Sequence, residues 1–160
     1  MKLWQDELIH LSLSLSTGLI LFLIFDSFWF LFFSLLLGFF IDGDHLIDYF
    51  YYFFRLEKKT TKKNIFNFAF HLKKFFQPAF YILKTQKIIV FFHGWEYILL
   101  FFLVLKIIGS GLSCPGLELT IIAYILHLGW DQHSSAGSYR SYFFLYRLKN
   151  QFSYQAYTRR

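Results

Sequence analysis

Residues 8–48 read LIHLSLSLSTGLILFLIFDSFWFLFFSLLLGFFIDGDHLID, two apolar stretches divided by Asp26 and Ser27 and closed by an acidic cluster. A helix rises about 1.5 Å per residue, and crossing a bilayer core takes about 20 residues. The first stretch, Leu8–Phe25, nearly meets that length. The second, Phe28–Ile41, meets it only if the span runs on into Asp42–Asp48. The pattern predicts an antiparallel pair of membrane helices with a tight turn at Asp26-Ser27.

The rest of the chain fits the same class. Of 160 residues, 56% are hydrophobic, 24% aromatic and only 16% charged. Soluble domains are about 45–50% apolar and about 25% charged. The expected architecture is a single all-α integral membrane domain with about four transmembrane helices. Their spans fall at about 8–25, 28–48, 88–108 and 117–131. Residues 55–87 form a basic linker with amphipathic, interfacial helices, and 132–160 an interfacial tail.

Charge sets the orientation. The net charge is +6, but the lysines at 58–63 and 73–74 and the C-terminal arginines flank apolar spans. Such placement marks the cytoplasmic edge of a membrane and argues against nucleic acid. Both termini are therefore expected in the cytoplasm of a bacterial-type inner membrane. No basic segment or cleavage site marks a removable signal peptide. The single Cys114 excludes a disulfide framework and a cysteine-rich zinc site.

Within this oily chain the ionisable groups are few and grouped: His10; Asp42, Asp44, His45 and Asp48; His93 and Glu96; His127 and Asp131. An ionisable residue in a membrane span is a functional-site hypothesis by default. With the orientation above, all four groups reach the cytoplasmic end of their spans. Asp42, His45 and Asp48 share one helical stripe at i,i+3, His93 and Glu96 are i,i+3 neighbours, and His127 and Asp131 are i,i+4 neighbours. These spacings let side chains from several helices grip one or two ions. Imidazole and carboxylate without sulfur suit zinc first, then manganese or iron. The expected ligands are His10, Asp42, Asp44, His45, His93, His127 and Asp131. Glu96 or Asp48 remains as a base, and Arg140 and Arg147 are placed to hold phosphate. His71 and His133 read as bystanders.

An early helical His10, an apolar run into Asp42-x-Asp44-His45 and a late His127-x-x-x-Asp131 resemble the LexA-regulated inner-membrane metal-dependent hydrolases. The pattern is more distantly similar to bacterial zinc-dependent phospholipase C. Ile41 stands where that membrane family usually has proline, and His93-Gly-Trp-Glu96 replaces its mid-chain histidine element. The resemblance implies a helical fold, a divalent-metal site and hydrolysis of a phosphoester in a lipid-like substrate. Two other classes fit the same groups: a membrane di-iron or redox enzyme, and a cation or proton transporter using the acids as a relay.

Overall fold

The computed structural model describes residues 3–57, 78–134 and 137–158. Eight α-helices are described: α1 (Leu3–Phe25), α2 (Phe28–Gly38), α3 (His45–Tyr52), α4 (Pro78–Thr85), α5 (Tyr97–Gly111), α6 (Ile121–Ser134), α7 (Phe144–Lys149) and α8 (Tyr154–Thr158). Tighter 3₁₀ turns occupy Phe40–Asp44, Leu117–Thr120 and Tyr139–Tyr142. Among the described residues there is no strand, only an isolated bridge between Lys87 and Ser153. The fold is all-α.

The hairpin of α1 and α2 turns at Asp26, whose φ of 50° lies in the left-handed region that aspartate tolerates better than most residues. Small residues let the two helices approach. A Cβ on Gly18 would lie 2.9 Å from the Leu31 Cα, and one on Gly38 would collide with Ser14 and Ala123. The helix α6 packs on both, with Phe30, Tyr124 and Leu128 fully buried between them. Ser14 and Thr17 turn their hydroxyls back onto the His10 and Leu13 carbonyls, so these polar groups enter the interface already bonded.

Helix lengths depart from the expected spans. Among the described residues one helix, Gln5–Phe25 of α1, is long and apolar enough by itself to cross a membrane. The segments Phe28–Gly38 and Phe40–Arg55 reach that length only together, across a 43° bend. The bend arises at Phe39, which leaves helical geometry (φ −121°, ψ −51°) and starts the 3₁₀ turn. The stretch 88–108 is helical only from Tyr97, because residues 88–96 give their backbone groups to other elements. The helix α5 has 15 residues and spans about 22 Å. The segment 117–131 begins in a 3₁₀ turn and continues as α6 to Ser134.

The outer faces of these helices are apolar. Ile20, Leu23 and Ile24 on α1, Phe28 on α2, and Leu99, Leu103 and Ile107 on α5 are all at least half exposed. Of the linker and interfacial stretch expected at 55–87, residues 55–57 and 78–87 are described, and the latter carry α4. Its Tyr81 packs against Tyr49 and Tyr52. His71 and the lysines at 58–63 and 73–74 lie outside the described residues.

Candidate metal centre

The alternation of helix directions brings the start of α1, the end of α2, the segment before α5 and the end of α6 to one end of the bundle. There the Asp42, His93, His127 and Asp131 side chains offer ligand atoms that all lie within 4.8 Å of one another. These four can hold a metal ion. Five of the six edges between the atoms can be followed individually. Asp42 Oδ1 to His93 Nε2 is 3.0 Å and to His127 Nε2 3.5 Å; the two Nε2 atoms are 3.2 Å apart. Asp131 Oδ2 is 3.3 Å from His127 Nε2 and 3.6 Å from His93 Nε2.

The far side of three of the four ligands is tied down, while Asp42 Oδ2 is buried with no hydrogen-bond partner. His127 Nδ1 lies 2.8 Å from the Gly38 carbonyl oxygen, which can only accept, so Nδ1 carries the proton. His93 Nδ1 faces the Asp44 carboxylate at 3.1 Å. A neutral ring with its proton on Nδ1 brings its Nε2 lone pair to the centre, whereas a proton on His93 Nε2 would be donated to Asp42 Oδ1 at 3.0 Å. His10 Nε2 bonds Asp131 Oδ1 at 3.0 Å, leaving Oδ2 to face inward. With both Nε2 atoms unprotonated, the four converging acceptor atoms repel unless a cation stands among them. Orientation of each ligand by a bonded partner behind it is characteristic of metal sites.

His93 is held by its backbone as well as by its ring. The Phe92 N–H donates to Asp44 Oδ2 at 2.8 Å, and the Ile89 N–H donates to Asp48 Oδ1. The Tyr124 hydroxyl lies 2.6 Å from the carbonyl oxygens of both Phe92 and Gly94, and Arg147 Nη2 donates to the His93 carbonyl at 2.8 Å. These bonds replace the helical ones that residues 88–96 forgo. Distant carboxylates, a tyrosine and an arginine thus display an imidazole that a regular helix would have pointed elsewhere.

The expected site residues divide accordingly. Asp42, His93, His127 and Asp131 meet at the centre. His10 stands behind Asp131 rather than among the four. Asp44 stands behind His93, and together with His45 and His93 it forms a second group with ligand atoms within 4.8 Å. His45 Nδ1 and Asp48 Oδ2 lie 3.7 Å apart, the i,i+3 neighbours the spacing predicts, while Asp42 turns to His93 and His127. Asp48 is buried and faces Ile89. Glu96 accepts from the Phe144 and Leu145 amides at 3.0 and 3.1 Å, capping α7 with both oxygens, and stands outside both groups. Arg140 is exposed and lies over Tyr139.

Arg147 is only 4% exposed and lines a cavity of about 330 Å³ beside His45, His93 and Asp131. Burial pulls its guanidinium below the ordinary arginine range, against the opposing charges of Asp44 and Glu96. Glu7, which the sequence reading passed over, is near enough to Asp42, His10 and His45 to feel their charge. Its i,i+3 spacing to His10 was the available signal. The Gly38 carbonyl and the Tyr124 hydroxyl left no such trace, since backbone acceptors and buried tyrosines have no distinguishing pattern.

Compared with protein-family models, curated proteins and solved structures, the chain matches none.

Proposed function

We propose that the protein is a membrane-embedded, metal-dependent hydrolase acting on a phosphoester of a lipid or amphiphilic substrate at the cytoplasmic face. The observation that carries this reading is the set of edges at the centre. A tetrahedral ion with ligand bonds of about 2.0–2.1 Å has ligand–ligand edges of about 3.3–3.4 Å. The five edges run from 3.0 to 3.6 Å and straddle that value. Two histidines and two carboxylates with this geometry favour zinc, with manganese or iron as the alternatives.

When bound, such an ion polarises a phosphoryl oxygen and lowers the pKa of a bound water toward about 7. The chain's own residues then orient and shield. His10, Asp44 and the Gly38 carbonyl fix three of the four ligands, and Tyr124 and Arg147 fix the loop that carries His93. The apolar outer faces of α1, α2 and α5 favour a bilayer, because contiguous exposed apolar area on this scale is unusual for a soluble monomer. A site at one end of the bundle meets a lipid where its phosphate lies. The resemblance to the LexA-regulated membrane hydrolases points to the same chemistry.

Metal content of detergent-purified protein, read by mass spectrometry, is the first test. Zinc or manganese bound by the wild type and lost in His93→Ala, followed by cleavage of a phospholipid phosphoester, supports the hydrolase. Iron with a visible absorption band favours a redox enzyme. No metal after incubation with excess ion, in folded protein, refutes the metal reading and leaves ion transport as the better account.

A further inference from the structure

The cavity beside the centre has an uneven wall. Its lining joins His93 and Asp131 of the centre to the apolar Ile88 and Val90, with Tyr142 and Arg147. Arg147 is the unusual member. A guanidinium has five N–H donors and a permanent charge. Here one donor reaches the His93 carbonyl, while Nε is buried with no hydrogen-bond partner. Among the described residues no carboxylate forms an ion pair with it. The two acids nearest in influence are committed elsewhere: Asp44 to His93 and the Phe92 amide, Glu96 to the start of α7. A buried charge without a counter-ion is costly, and removing it from water needs a compensating partner.

We propose that this cavity is an anion subsite that seats the phosphate of a phosphoester against Arg147, next to the metal centre. Arginine suits a tetrahedral oxyanion because its planar fork can donate two parallel hydrogen bonds. The inference rests on the hydrolase reading in one respect: a bound cation offsets Asp42 and Asp131, which would otherwise repel the anion. Size limits the occupant. Ligand pockets run from about 300 to 1,000 Å³, so this one admits a headgroup and leaves acyl chains outside. The apolar wall of Ile88 and Val90 then meets the carbon skeleton next to the phosphate. The shared chemistry, a phosphate on a small organic body, has two sources: a lipid headgroup or a free phosphoester.

The test is calorimetric titration of inorganic phosphate into the full-length protein in uncharged detergent, with and without zinc loading. Arg147→Gln should weaken binding about tenfold to a hundredfold, the range for hydrogen bonds to a charged group. Arg147→Lys, which keeps the charge and one donor for the His93 carbonyl, should fall between. Leu83 is half exposed on the cavity lining, so its variants should fold whatever becomes of Arg147. Leu83→Glu should weaken phosphate binding several-fold and Leu83→Lys should not. Vesicles of phosphatidylcholine containing phosphatidic acid, absent from control vesicles, should compete if the source is a lipid; free phosphate binding without that competition assigns a soluble phosphoester. Zinc uptake is read separately by mass spectrometry. Zinc bound but no phosphate binding overturns the subsite alone, and so does phosphate binding indifferent to both the Arg147 and Leu83 variants.

Discussion

Replacing a ligand and replacing the group behind it should weaken metal binding by different amounts, and the centre predicts which is which. His127→Ala removes one of four converging ligands and frees the Gly38 carbonyl. Structural zinc binding is worth about 10–16 kcal/mol, so a quarter share is about 2.5–4 kcal/mol, or a loss of roughly 10²–10³-fold in affinity. Asp44→Asn keeps an acceptor for the Phe92 amide at nearly the same shape but removes the charge behind His93. Partners of that kind contribute about 10–100-fold. The assay is competition against a chelator of known affinity, with bound metal read by mass spectrometry and helicity checked by circular dichroism on the metal-free proteins. His127 is 1% exposed, so the metal-free variant must be shown to be folded before its affinity is compared. An Asp44→Asn loss equal to or larger than that of His127→Ala would refute the assignment of Asp44 as an orienting group. It would move Asp44 to the centre itself.

The neighbouring glycines should respond in opposite directions. Gly38→Ala should destabilise the folded protein by about 1–3 kcal/mol through overpacking against Ser14 and Ala123, whereas Gly43→Ala, where a Cβ meets nothing within 4 Å, should be neutral or stabilising by up to about 1 kcal/mol; thermal unfolding in detergent reads both. Glu96→Gln should cost about 0.5–2 kcal/mol by weakening the cap on α7 while leaving bound metal unchanged. Metal lost with Glu96→Gln would place that carboxylate in the centre after all. Ile20→Arg, at a position 58% exposed on α1, should lower the amount of protein recovered in membranes, since arginine near a helix centre costs about 2.5–3.5 kcal/mol in insertion. Unchanged recovery in membranes would mean that this face of α1 does not meet lipid.

Some of this was legible in the chain and some was not. The apolar runs 8–25 and 28–41 and the turn between them were plain, because helix formation in an oily segment follows from length and composition. So was the grouping of histidines and acids toward one end, which follows from strand-free connectivity and the alternation of helix direction. The segment 88–96 was misread as helix. Its apolar residues look like the start of a span, yet its amides are satisfied by Asp44 and Asp48, more than 40 positions earlier. Local pattern does not report a hydrogen bond made at that separation.

The sequence by itself determined an all-helical, apolar molecule with a small set of imidazole and carboxylate groups that could converge. Only the tertiary structure separated Asp42 and Asp131, which face the centre, from Asp44 and Asp48, which hold the His93 segment, and from Glu96, which caps a helix. All five are the same functional group in similar surroundings, and helical spacing gives each only a direction on its own helix. Which oxygen meets an imidazole and which meets an amide is decided across elements: by the bend at Phe39, the close approach at Gly38 and the backbone bonds that Tyr124 and Arg147 make to the loop between α4 and α5.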